Sequence, residues 1–152
     1  MRRAHSEDIP LLITLMTPFY GESGYELDPV LAEEGFASLL ADERLGRVWV
    51  IEADGQDVGY VVLTLRFGME YGGMMASIDD LYVLPAYRNR GLSRVALESV
   101  RDYCKAGGVR AITVEVGYEN GPAQAVYRRL GMVEEPGRQL LVLALADPSH
   151  RV

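Results

Sequence analysis

Asp79-Asp80-Leu81-Tyr82-Val83-Leu84-Pro85-Ala86-Tyr87-Arg88-Asn89-Arg90-Gly91-Leu92-Ser93 reads as a strand, a tight turn and the start of a helix. Pro85 cannot donate to a sheet ladder, so the strand that begins at Ala76 closes at Leu84. Beyond the turn, Leu92, Val95, Ala96, Val100, Tyr103 and Cys104 recur at three- and four-residue steps. Arg94, Glu98, Arg101 and Lys105 take the opposite face as far as Gly107-Gly108, the pattern of an amphipathic helix lying on a sheet. A helix N-terminus presents unpaired N–H groups and the positive end of its dipole, and Gly91 removes the side chain that would hold a phosphate away from them. Arg88, Arg90 and Arg94 add charge. The stretch therefore predicts a pyrophosphate held by the backbone amides of Asn89, Arg90, Gly91, Leu92, Ser93 and Arg94; the competing reading is a basic loop that merely precedes a helix. Neither Gly-x-x-x-x-Gly-Lys-Ser/Thr nor a Gly-x-Gly-x-x-Gly after a strand occurs, which sets aside those phosphate loops.

Upstream, Ser6 with Glu7 and Asp8 starts a helix carrying Leu11, Leu12, Leu15 and Met16, expected to end near Pro18. A loop over Tyr20 to Tyr25 follows, and Asp28-Pro29 opens a second helix through Ala32, Phe36, Leu39 and Leu40. From Gly46 the period changes. Val48 to Ile51 and Val58 to Leu65 are strands joined at Asp54-Gly55, a tight hairpin turn. A Gly-rich loop with Glu70 and Tyr71 leads into the strand that carries Asp79. Downstream lie a strand at Ala111 to Val116, a short helix from Pro122 to Leu130 stopped by Gly131, and a final strand from Gln139 to Ala146. The order predicts an α/β (α+β) fold with a mixed, mostly antiparallel sheet of six to seven strands and helices on both faces, all in a single domain over 1–152.

The chain has 152 residues, 49% hydrophobic and 24% charged, enough apolar material for a packed core. No apolar stretch approaches the roughly 18 residues of a membrane span, so a cytoplasmic protein without a membrane partner is expected. One cysteine, Cys104, excludes an internal disulfide, and on the apolar helix face it reads as core. Two histidines, His5 and His150, at opposite ends of the chain make a Cys/His metal cluster implausible, and no metal is expected. The net charge of −7 disfavours nucleic acid as a partner. Between Pro85 and Arg110, however, six cations stand against two anions, leaving that segment at +4 and the remainder at −11. A basic island in an acidic chain suggests a small anionic ligand.

Two blocks carry a family resemblance. Arg88-x-x-Gly91-x-Ser93, after Leu81-Tyr82-Val83-x-Pro85-x-Tyr87, resembles the Arg/Gln-x-x-Gly-x-Gly/Ala signature of the GNAT acyltransferases, with Ser93 in place of Gly or Ala. Asn120-x-x-Ala123-x-x-x-Tyr127-x-x-Leu130-Gly131-Met132 is similar to that family's Asn-x-x-Ala-x-x-x-Tyr-x-x-x-Gly-Phe. The resemblance implies an acetyl-CoA-dependent N-acetyltransferase, with acetyl-CoA bound and CoA as product. It implies that the strand at Leu81, Tyr82 and Val83 offers backbone groups to the pantetheine arm. Asn120 is implied to bond the same arm, although it also suits a helix cap before Pro122. Tyr127 matches the family tyrosine that protonates the departing thiolate; a buried core tyrosine is the alternative.

The attacking amine must lose a proton, and by the same resemblance Asp79 is the first candidate to take it. Adjacent residues face opposite sides of a strand, so Asp79 and Asp80 share one site only if a bulge intervenes. Glu70 and Glu115 are weaker candidates. The acceptor, a small-molecule or protein amine, is expected among Tyr20, Glu22, Tyr25, Glu70, Tyr71 and Asp80. The alternatives are a silent domain of the same type that binds acetyl-CoA as a sensor or assembly module, and an enzyme using a longer acyl ester. An exposed edge at Leu140 to Leu145 is a place where two copies could pair as a homodimer.

Overall fold

Two helices that open with proline, Ile9–Glu22 (α1, with Pro10) and Pro29–Ala41 (α2), lie on one face of a sheet. Its five strands stand in chain order: Arg2–Arg3 (β1), Gly46–Ala53 (β2), Gln56–Gly68 (β3), Gly73–Val83 (β4) and Ala111–Val114 (β5). Leu92–Ala106 (α3) and Gly121–Arg129 (α4) complete the elements and pack on the other face. The computed structural model describes residues 1–146; His150 lies outside them.

Alternation along the strands explains the two layers. Val48, Val50, Tyr60 and Val62 point toward Leu12, Leu15 and Phe36 of α1 and α2, while Trp49, Ile51, Val61 and Leu63 meet Ala96, Leu97 and Val100 of α3. A sheet covered on both faces needs apolar residues at every position, which is why β2 and β3 read as nearly continuous hydrophobic runs. The Asp54-Gly55 turn is formed as expected, with both residues at positive φ (53° and 73°). Cys104 is buried in the α3 layer, where burial pushes its thiol up to about 11.

β1 to β4 are antiparallel, and β5 returns parallel to β4 through α3. Two irregularities in β4 shape the site. Val62 pairs with Asp80 but Leu63 pairs with Ile78, so Asp79 is an extra residue, a β-bulge. β5 follows β4 only from Met75 to Ile78, so the second half of β4, through Val83, has no strand beside it on that side among the described residues.

Three expectations need correction. α1 does not end near Pro18 but runs through it to Glu22, since the contacts of Phe19 and Tyr20 with the α1–α2 core outweigh the one backbone bond that proline removes. Tyr20 and Glu22 thus ride on the last helical turn rather than in a loop. Gln139 to Ala146 forms no strand, so the described sheet has five strands, not six or seven. Leu140 to Leu143 are four consecutive apolar residues with no polar alternation to specify a face, and all four are exposed. Arg138 is paired with Glu70 at 3.0 Å, which ties the tail to the turn before β4. The edge expected to pair two copies is therefore absent as a strand.

β3 approaches the far half of β4 closely at Gly59, where a Cβ would lie 2.2 Å from the Tyr82 carbonyl oxygen. Gly59→Ala should therefore cost about 1–3 kcal/mol, by the measure of an overpacked core. Urea unfolding checks it: an unchanged midpoint would mean the strands separate there without penalty.

Candidate active site

The bulge changes which way Asp80 faces. Ile78 packs into the α3 layer, and by strict alternation Asp80 would follow it. One extra residue turns Asp80 to the α1–α2 side instead, beside Val62 and Tyr60. Asp80 is only 7% exposed, and its Oδ2 accepts a 2.8 Å hydrogen bond from the Tyr60 hydroxyl. Burial pushes its carboxyl up to about 6; the Tyr60 bond opposes the rise and the charge of Asp79 adds to it. Asp79 is exposed and accepts from the Thr64 hydroxyl at 3.0 Å. Both carboxylates line a cleft of ≈ 200 Å³ between the two helices and the sheet. Tyr20 lines it too, and its phenol is held well above its ordinary range by burial, then by the charges of Asp80 and Asp79.

On the other face of the sheet, packed in the α3 layer, lies Tyr127 of α4. It is 8% exposed, and burial, with a contribution from the charge of Asp80, pushes its phenol up to about 12. Its phenol is therefore neutral at pH 7. Asn120 caps α4, accepting from the Ala123 N–H at 3.2 Å, and fills the structural part of its expected role.

The turn after β4 has the backbone an anion requires. Asn89 and Gly91 both have positive φ (60° and 77°), and a Cβ at Gly91 would meet nothing within 4 Å. No N–H from Asn89 to Arg94 finds a protein acceptor among the described residues. This backbone fits a diphosphate, and the edge of β4 from Leu81 to Val83, with no strand beside it, fits an amide-bearing arm. The three guanidinium groups expected to add charge there are each paired with a carboxylate. Arg88 donates to both carboxylate oxygens of Glu22 at 2.9 Å and, through Nε, to the Val83 carbonyl. Glu22 also accepts from the Tyr82 hydroxyl at 3.3 Å, so it serves the turn rather than the cleft. Arg90 pairs with Asp54 and Arg94 with Glu98.

Glu70 and Tyr71 sit in the turn before β4 and do not line the cleft; the six strand steps from Gly73 to Asp79 separate them by about 20 Å. Tyr25 is exposed, its ring 6.4 Å from that of Tyr20. Sequence reasoning missed Tyr60 and Thr64, the partners of the two carboxylates, although their even spacing with Val62 puts all three on one face of β3. It also missed the α2 wall of the cleft. Among the described residues no three His, Cys, Asp or Glu side chains gather as a metal site would need, and no helix is long and apolar enough to cross a membrane.

The model of the acetyltransferase (GNAT) family matches residues 10–132. The chain is similar to the uncharacterized N-acetyltransferase YhfO of Bacillus subtilis (strain 168), 22% identical over 90% of this chain and 91% of that one. Among solved structures, the integron cassette protein HFX_CASS3 from the mobile metagenome of Cole Harbour Salt Marsh is 45% identical, with a TM-score of 0.87 over 99% of this chain and 93% of that one. A predicted acetyltransferase of Clostridium acetobutylicum, solved with acetyl-CoA, shares the fold at 20% identity, with a TM-score of 0.78 over 93% of this chain and 94% of that one.

Because the Tyr60 hydrogen bond holds the Asp80 carboxyl down, Tyr60→Phe should move its titration midpoint upward from about 6. Carboxyl carbon shifts followed by NMR across pH 4 to 9 (a range of roughly two units or more either side of the midpoint) would read it. A midpoint that stays or falls would show that burial alone sets the value.

Proposed function

Because this chain belongs to the acetyltransferase (GNAT) family, we propose that it moves the acetyl group of acetyl-CoA to a primary amine held at Asp79 and Asp80. Asp80 takes the proton of the bound ammonium, and Tyr127 gives one to the departing sulfur. The observation that carries this reading is the bulge, which brings two carboxylates to one cleft at the point where β4 leaves β5.

The backbone N–H groups from Asn89 to Arg94 would hold the diphosphate, and Leu81, Tyr82 and Val83 would pair with the pantetheine arm along the open edge of β4. Asn120 would lie against the same arm. Arg88 would reach the diphosphate by exchanging Glu22 for it. Bound acetyl-CoA supplies an activated thioester, whose C–S bond breaks as the N–C bond to the acceptor forms. Asp79 draws the cation to the cleft. Asp80, a carboxylate above about pH 6, accepts the first proton and so frees the nitrogen lone pair. The second proton lost by nitrogen replaces the one that the Tyr127 hydroxyl gives to sulfur. The products are the amide, the thiol and one proton on Asp80, so charge and atoms balance. The Asp79-Asp80 pair and Tyr127 together favour turnover over a silent sensor, which would need neither.

Calorimetry should show acetyl-CoA binding, and thiol release should follow with a primary amine. Tyr127→Phe should lower kcat by about 10²-fold or more with binding retained. Since Asp80 must be ionised to act, kcat/KM should climb as pH rises through an apparent pKa near 6, and Asp80→Asn should abolish that limb. Absence of acetyl-CoA binding would refute the reading, and full turnover by Tyr127→Phe would remove the tyrosine from it.

A further inference from the structure

The cleft that holds the two carboxylates has an unequal lining. Thr64 and Tyr60 on the sheet bond Asp79 and Asp80, and Tyr20 at the end of α1 feels both charges, so the polar groups gather about the two carboxylates. The helix side is formed by Met16, Leu31, Phe36 and Leu39, with Ala32 and Gly35 as small residues between them. Leu31, Ala32, Gly35, Phe36 and Leu39 fall on one face of α2 at the three- and four-residue steps of a helix. No lysine or arginine lines the cleft among the described residues.

Resting on the proposed acetyl transfer, we propose that the acceptor is a primary amine borne on one compact apolar body, an aryl or branched-alkyl group. The body packs against the α2 face and the ammonium lies between Asp79 and Asp80. An apolar cavity of about 150 Å³ accommodates benzene, so ≈ 200 Å³ suits one ring and a short aliphatic link. The same walls offer the other amine classes less. Beyond Asp79 and Asp80 no carboxylate lines the cleft among the described residues, so the second ammonium of a polyamine gains no partner within it, and the apolar α2 face offers a sugar's hydroxyls none. Gly35 is an exposed lining residue at the mouth of the cleft: a Cβ there meets nothing within 4 Å, so a larger side chain enters open space without moving backbone. Gly35→Leu therefore narrows the cleft, and it replaces a poor helix former with a good one, so folding is not put at risk.

The test uses the purified full chain, acetyl-CoA and four acceptors: 2-phenylethylamine, spermidine, glucosamine and a lysine-containing peptide. 2-Phenylethylamine should have a kcat/KM at least about 10-fold above the other three. Gly35→Leu should raise its KM by about 10-fold or more while acetyl-CoA binding, read by calorimetry, is unchanged. Preference for spermidine, glucosamine or the peptide would overturn the assignment, as would an unchanged KM in Gly35→Leu. Failure of the transfer reading looks different: acetyl-CoA would not bind, whereas NMR shifts at Gly35 and Asp80 on adding 2-phenylethylamine would still report an occupied cleft.

Discussion

One extra residue in a strand, Asp79, is the constraint on which the site depends. The chain before it places Ala76 and Ile78 against α3; the chain after it places Asp80 and Tyr82 against α1 and α2. Without the bulge, Asp80 would lie in the α3 layer, a buried charge among Leu97 and Val100 with no partner. With it, Asp80 meets the Tyr60 hydroxyl and the cleft. Burial still raises its carboxyl to about 6, and that cost to the fold is what makes the group able to exchange a proton near neutral pH. β5 ends beside β4 at Ile78, immediately before the bulge, so the parting of the sheet and the turning of the carboxylates occur at one point of one strand.

A second arrangement joins the end of α1 to the turn after β4. Arg88 bridges Glu22 and the Val83 carbonyl, and its guanidinium lies 5.4 Å over the Tyr82 ring, so the loop that leads into α3 is held to the edge of β4 from outside. The Arg88 and Glu22 side chains are 40% and 46% exposed, and ion pairs that wet contribute little to stability. Such a contact orders the turn and yields readily to a competing anion. The backbone amides of the turn are held instead by φ angles that Asn89 and Gly91 tolerate, so their direction does not depend on the ion pair.

Most of the architecture was legible because local chemistry and burial agree there: Asp54-Gly55 for the hairpin, Pro85 for the end of β4, the two-faced pattern of α3, and Asn120 with Pro122 for the start of α4. The misreadings fall where a distant contact overrides a local rule. Pro18 ought to end a helix, but Phe19 and Tyr20 pack onto the sheet and carry α1 onward. The apolar run at Leu140 to Leu143 has strand composition but no alternation to choose a face. The amide-lined turn could be read from Arg88 to Arg94, whereas the carboxylates that hold those arginines come from Glu22, Asp54 and Glu98, of which only the last is near in sequence. The bulge left no mark beyond two adjacent aspartates, since register is a property of the pair β3 and β4 and not of either strand alone. Of the cleft only Tyr20, Asp79 and Asp80 were legible, because its walls come from four elements, α1, α2, β3 and β4, that meet only in the fold.

The most direct measurement is a crystal structure of the chain with CoA bound. The account predicts the pantetheine arm paired to the backbone of Leu81 to Val83, the diphosphate on the amides from Asn89 to Arg94, and the sulfur between the Tyr127 hydroxyl and the cleft that holds Asp79 and Asp80. CoA bound elsewhere, or β4 in unbroken register with β3 and both aspartates on opposite faces, would contradict it.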